Sequence, residues 1–228
     1  MQNDVTIKSE SSILSETRSS LKLVVLGATG GTGLEIIRKA LEQGHLVTAL
    51  VRSPERLKPF QDRITVKQGD LLNSVDLERV IQGHDAVVSG FGPRIPVSKA
   101  DANLLHQFAI VLTRAMLRAE VERVVVESVA FLFKDAIFPP AYLLGKILFP
   151  GIVADSAAME DVFQHGGLDW TIVRPPQLTD RPYTGNYRVR EGHLPHFGFK
   201  ISRADVADFM IKAAENPSLI RKIVGISN

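Results

Sequence analysis

Gly27, Gly30 and Gly33 close a short apolar run and open an amphipathic one in the stretch LKLVVLGATGGTG. This spacing is that of an elbow between a strand and a helix. Gly27 allows the tight turn, Gly30 and Gly31 let the backbone approach a phosphate with no Cβ between, and Gly33 lets the new helix press against the strand. The helix start then offers unpaired N–H groups and a positive dipole end to a pyrophosphate. Thr29 and Thr32 are spaced to add hydroxyl donors.

The next chemical marker stands one strand later. Dinucleotide sites that take a ribose 2′-OH carry Asp or Glu there, whereas a cation accepts a 2′-phosphate. This chain has Arg52, Ser53 and then Arg56, with no acid before Glu55. A guanidinium fork matches phosphate geometry, so the residues favour NADP(H) over NAD(H).

The elements that must hold these residues can be read from periodicity. Leu23 to Leu26 form a continuous apolar run suited to a strand covered on both faces. Leu34, Ile37, Ala40 and Leu41 recur at helical spacing, and Gly44 ends that helix. HLVTALVR supplies a second strand, completing one βαβ unit. Further strands are expected over 64–71, 85–92, 123–131 and 169–176, with helices over 75–83, 102–120 and 156–165. Alternation of this kind predicts an α/β, Rossmann-type doubly wound parallel sheet with helices on both faces.

Ligands in such sheets lie beyond the carboxyl ends of the strands. Those ends nominate the glycine elbow, Arg52, Asp70 with Leu71, the run Ser89, Gly90, Phe91 and Gly92, then Ser128, and Pro175 with Pro176. Asp70 could accept from the adenine amine while Leu71 covers the ring, or Asp70 could cap the next helix; both readings stand. Ser202 with Asp205 reads as a structural helix start of capping-box type. Arg174, inside an apolar strand, needs a partner if buried, and Asp205 or Asp208 could serve.

GATGGTG, LVRS, GDL, SGFG, DWTIVRPP and ISRADVADF together resemble an atypical short-chain dehydrogenase/reductase. Within that superfamily the chain is most similar to the single-domain NAD(P)H-binding group that includes NADPH-dependent flavin reductase, also called biliverdin-IXβ reductase. The likeness covers residues 21–228. It implies that Gly27, Thr29, Gly30, Thr32, Gly33, Arg52, Arg56, Asp70 and Leu71 hold NADP, and that Pro175 and Pro176 lie near the nicotinamide.

The family's catalytic pattern is incomplete here. Strands at this place usually end in two small hydroxyl residues, the second taking part in chemistry, but Ser128 is followed by Val129. Ser128 is therefore a catalytic candidate with a structural alternative. Histidine near the sixth strand, used by flavin-reductase members, is replaced by Gln177. Tyr142 and Lys146 keep the Tyr-x-x-x-Lys arrangement of the wider superfamily, in which an ammonium on the same helix face readies a phenol as proton donor. Alternatively Tyr142 packs in a lid and Lys146 snorkels. A helix carrying the pair would start at Pro139 and Pro140 and stop at Pro150 with Gly151.

Composition narrows the remaining classes. A formal charge of +2, with no basic run interleaved with aromatics, gives no nucleic-acid footprint. The absence of cysteine removes disulfides and thiolate chemistry, and a cytoplasmic setting is compatible with it. Residues 1–20 are polar and serine-rich, a disordered leader without the apolar core of a secretion signal, so 21–228 make up one domain. Prolines, glycines and a lysine break up 137–154, so no membrane span is expected. His193 and His196 are separated by Pro195, which spoils helical ligand spacing, and no metal is expected.

Residues 177–228 form only a small C-terminal substrate region. Phe131, Phe133, Tyr142, Leu143, Tyr183 and Phe197 are expected to wall the pocket, which suits a planar acceptor such as a flavin or quinone. The expected activity is an NADPH-dependent reductase passing hydride to that acceptor; the alternative is a non-catalytic NADP(H)-binding sensor or assembly factor. Oligomeric state is left open.

Overall fold

The computed structural model describes residues 20–92, 103–134, 143 and 147–228. Its centre is an eight-stranded sheet in the order β3-β2-β1-β4-β5-β6-β10-β8. The strands are β1 (Lys22–Leu26), β2 (Leu46–Val51), β3 (Thr65–Gln68), β4 (Ala86–Ser89), β5 (Arg123–Glu127), β6 (Asp169–Arg174), β8 (Arg188–Glu191) and β10 (Lys222–Ser227). All neighbours run parallel except β8, which pairs antiparallel to β10. A separate parallel pair joins β7 (Gln177–Thr179) to β9 (Lys200–Ser202). The sheet is the Rossmann-type α/β architecture expected from the alternation.

Strict alternation within the buried strands divides the core. Leu23 and Val25 face one hydrophobic layer, which includes α1 (Gly31–Glu42) and α5 (Arg203–Glu215). Val24 and Leu26 face the other, which includes α2 (Ser74–Ile81), α3 (Leu104–Arg118) and α4 (Pro150–His165). Because both faces are covered, β1 reads as an unbroken apolar run rather than an alternating one.

Several boundaries differ from the sequence reading. β3 spans four residues, not eight, because it is the mostly exposed edge of the sheet. β5 stops at Glu127 and the chain turns through a short 3₁₀ segment, Ala130–Leu132. α4 begins six residues earlier than expected, at Pro150. That proline occupies the first turn, where its missing N–H costs nothing, so it starts this helix. β8, β9 and β10 were not anticipated, although Ile223, Val224 and Ile226 form an apolar run.

α3 receives its cap from elsewhere in the fold. Its own N-cap residue, Asn103, is left-handed at φ 60° and makes no side-chain cap bond. Buried Asp155 of α4 instead accepts from the Leu105 and His106 amides at 2.9 and 3.0 Å. The carboxylate satisfies orphan donors and the helix dipole together, locking α4 onto α3.

Candidate functional site

The strand order reverses direction between β1 and β4, and the elbow sits at that switch point. Gly27 is left-handed at φ +70°, and a Cβ there would lie 2.6 Å from the Phe91 amide nitrogen. At Gly33 a Cβ would lie 2.1 Å from the Gly27 carbonyl oxygen. Backbone packs against backbone at both positions, so neither admits a side chain. α1 starts from Gly30 with no side-chain cap bond and no acid in its first turn. Its N-terminal N–H groups and dipole are thus left for an external anion. This cradle fits a dinucleotide diphosphate.

β1 and β2 are hydrogen-bonded neighbours, so Arg52, just beyond β2, stands on the same rim as the elbow. Arg52, Ser53 and Arg56 are exposed, Arg56 within the 3₁₀ turn Glu55–Phe60. Asp70 is exposed and its carboxylate accepts from the Leu72 amide at 3.1 Å, a local turn contact. It is not the helix cap: Asn73 takes that place, accepting from the Val75 and Asp76 amides. Leu71 is half-buried and packs against the α2–α3 layer.

On the other side of the switch, Ser89 is buried and its hydroxyl accepts from the Phe91 amide at 3.3 Å. The Phe91 ring packs on Phe108 with centroids 4.7 Å apart, so it faces the core, while a Cβ on Gly90 would lie 3.3 Å from the Gly33 amide nitrogen, which sets Gly90 against the elbow. Ala130 donates its amide to the Pro175 carbonyl at 3.0 Å, and Ser128 donates to that of Val173 at 2.7 Å. These bonds hold the ends of β5 and β6, with Pro176, on the same rim.

Beneath that rim lies a buried polar network that the sequence reading did not assemble. Ser128 donates its hydroxyl to Glu160 at 2.5 Å, and Arg174 forks onto both Glu160 oxygens at 2.9 and 2.5 Å. Arg174 also lies over the Phe133 ring at 4.8 Å. The partner of Arg174 is therefore Glu160, not Asp205 or Asp208, which face the opposite layer. Asp205 accepts from Ser202, Thr184 and Gly185. Burial alone would raise its carboxyl, but these hydrogen bonds outweigh burial and hold it below the usual carboxylate range.

Two further residues escaped the sequence reading. The registers place Leu26, Ser89 and Val126 in one row, so Gly27, Gly90 and Glu127 follow in the next. Glu127 is half-buried and accepts from the Thr32 hydroxyl at 3.4 Å. Burial pushes its carboxyl up to about 7, against the lowering influence of Thr32 and the Arg203 cation. Arg203, the first residue of α5, crosses the elbow so closely that a Cβ on Gly31 would sit 2.7 Å from its Nε. An ionisable residue closing the apolar run VVVES was the available signal for Glu127. For Arg203 it was a cation in a first turn, contrary to dipole preference.

The expected acceptor wall is only partly assembled. Phe131 and Phe149 stack with centroids 5.7 Å apart beside the end of β5. Phe133 is instead buried in a small core cluster with Ala130 and Leu194. Tyr183 lies on the far side over α1, with the Lys39 ammonium 3.6 Å from its ring centroid. Leu143 and Phe197 are exposed. Tyr142 and Lys146, with Pro139 and Pro140, lie outside the described residues. A groove of about 390 Å³ lined by Thr48, His84 and neighbours opens at the amino ends of the strands, away from this rim. Among the described residues, no helix is long and apolar enough to cross a membrane.

Comparison with known proteins agrees with this geometry. The NAD(P)H-binding family matches residues 27–217. An uncharacterised chloroplast protein of Arabidopsis thaliana is 30% identical over 97% of this chain and 81% of its own. The photosystem II assembly factor Ycf39 of Synechocystis is 24% identical over 89% of this chain and 61% of its own. The anaerobilin reductase ChuY of Escherichia coli O157:H7 shares the fold, with TM-score 0.74 and 20% identity over 90% of this chain and 96% of its own. Elbow, strand order and family match converge on one statement: this chain belongs to the NAD(P)H-binding family of Rossmann-fold proteins.

Proposed function

We propose that the protein is an NADPH-dependent reductase that passes hydride to a small planar acceptor of the flavin or quinone type. The observation that carries the cofactor choice is the position of Arg52 and Arg56, exposed at the tip of β2 and next to the strand that feeds the elbow. Two guanidinium groups there recognise a 2′-phosphate, which NADH lacks. NADPH supplies the hydride when bound.

The chain's own residues then have to bind, orient and exclude water. Gly27, Gly30 and Gly33 bring backbone to the diphosphate, and the uncapped α1 dipole offsets its charge. Thr29 and Thr32 add hydroxyl donors. Ser89, Gly90 and Gly92 border the adenosine side, Asp70 and Leu71 the adenine, and Pro175 with Pro176 the nicotinamide. The stacked Phe131 and Phe149 rings offer a flat apolar face for an aromatic acceptor. Such an acceptor needs close ring approach for hydride transfer, and water can supply the proton that completes its reduction. Tyr142 with Lys146 is the proposed alternative proton source.

A second reading is supported by one contact and one relative. The Ser128 hydroxyl is committed to Glu160, Val129 and Gln177 replace the family's chemical residues, and Ycf39 is an assembly factor. A non-catalytic NADP(H)-binding role follows from that reading. Anaerobic steady-state oxidation of NADPH with free flavins and quinones separates the two. Turnover at a rate above the protein-free reaction supports the reductase; binding of NADPH with no turnover supports the second.

A further inference from the structure

The positive features around Gly31 outnumber the negative ones in a way the fold itself does not require. α1 begins there without an acidic first turn or a side-chain cap, so its dipole and free amides face outward. Arg203 is the opening residue of a second helix, and its side chain lies across the first turn of α1. A guanidinium above a helix N-terminus is electrostatically unfavourable in isolation. Among the described residues, two carboxyl groups answer it. Asp180 pairs with Arg203 at 2.6 Å, but its side chain is 88% exposed. Glu127 lies below, already accepting from Thr32.

We propose that Arg203 is a diphosphate clamp, resting on Asp180 when the site is empty and exchanging it for the cofactor's diphosphate when NADPH binds. This rests on the nucleotide reading of the elbow given above. An ion pair this exposed is weak, so it gives way readily, whereas a guanidinium on a doubly charged diphosphate makes short charge-assisted bonds in a site already shaped for the anion. Asp180 directly follows β7, which itself follows Pro175 and Pro176. Releasing it therefore couples cofactor occupancy to the segment bordering the nicotinamide end. Ser202 and Asp205 hold the start of α5 through their mutual bonds, so the base of the Arg203 side chain is fixed while its tip exchanges partners.

The test measures binding of NADPH and of adenosine 2′-monophosphate, which lacks the diphosphate, to the full chain and its Arg203→Gln, Arg203→Lys and Asp180→Asn variants. Arg203→Gln should weaken NADPH by about tenfold to a hundredfold, the effect of losing a hydrogen bond to a charged group, while leaving adenosine 2′-monophosphate within about twofold. Arg203→Lys should fall between, keeping the charge without the fork. Asp180→Asn should tighten NADPH by up to about fivefold, since it removes a weak competing pair. Unchanged NADPH affinity in Arg203→Gln overturns the proposal, and so does equal weakening of both ligands, which marks a general structural effect. If the unaltered chain binds neither ligand, the reading of the elbow as a nucleotide site falls, and the clamp falls with it.

Discussion

The Ser128 hydroxyl donates to Glu160 across 2.5 Å, and the same carboxylate holds the Arg174 fork. A hydroxyl so engaged points beneath the strand ends rather than over them, toward α4. The bond completes the hydrogen bonding of a buried carboxylate, which is costly to leave unsatisfied.

Ser128→Ala should therefore leave turnover of NADPH within about threefold of the unaltered chain, a loss far below the hundredfold or more associated with removing a general acid or base. Glu160→Ala is the opposite case. It strands the Arg174 cation beside Phe133, and unfolding in urea should show a loss of about 3–5 kcal/mol, the range for breaking one side of a buried pair. A turnover collapse in Ser128→Ala with unchanged stability would return Ser128 to the chemistry.

Gly33 and Gly44 separate what the elbow needs from what any glycine offers. A Cβ on Gly33 meets the Gly27 carbonyl oxygen at 2.1 Å, whereas at Gly44, which is left-handed at φ +84°, a Cβ meets nothing within 4 Å. Gly33→Ala should cost about 3 kcal/mol or more through overpacking and abolish NADPH binding. Gly44→Ala should cost only about 1–2 kcal/mol of left-handed strain and keep binding intact. Thermal unfolding with and without NADPH reads both quantities.

Local spacing made part of this visible in advance. The elbow, the Arg52 tip and the Ser202–Asp205 cap each lie within a few residues, and the structure places them as the spacing implied. The parallel sheet followed from alternation of βα units. What stayed hidden depends on residues brought together by the fold: Arg174 finds Glu160 from a neighbouring helix, and Arg203 reaches an elbow far back in the chain. Short elements were hidden too. β8 and β9 have four and three residues, too few to establish a period. Pro150 was ambiguous because proline both ends helices and opens them.

Arg52→Glu tests nucleotide choice by reversing the charge proposed to face a 2′-phosphate. NADPH should weaken by about tenfold to a hundredfold, while NADH, with a ribose hydroxyl that a carboxylate can accept, should hold or improve. Affinities of both nucleotides for both proteins decide it. Equal loss for NADPH and NADH, or no loss for either, would show that the β2 tip does not read the 2′ position.

Glu127 makes stability fall as the solution becomes less acidic. Burial raises its carboxyl from 4.5 to about 7, with Thr32 and Arg203 opposing. Between those two values the folded chain keeps a proton that the unfolded chain has released, so the native state binds more protons and stability declines with rising pH. The contribution is whole below the unfolded value and is lost as pH climbs through 7, amounting to roughly 3 kcal/mol at 1.36 kcal/mol per pH unit. Glu127→Gln mimics the protonated form and should flatten this part of the profile. The same ionisation sets a carboxylate beside the diphosphate cradle, so NADPH affinity should decline over that window as well, and the decline should vanish in Glu127→Gln. Urea unfolding and NADPH titration on either side of neutrality measure the two effects. A wild-type profile parallel to that of Glu127→Gln would show that the carboxyl ionises at the same pH in folded and unfolded chains.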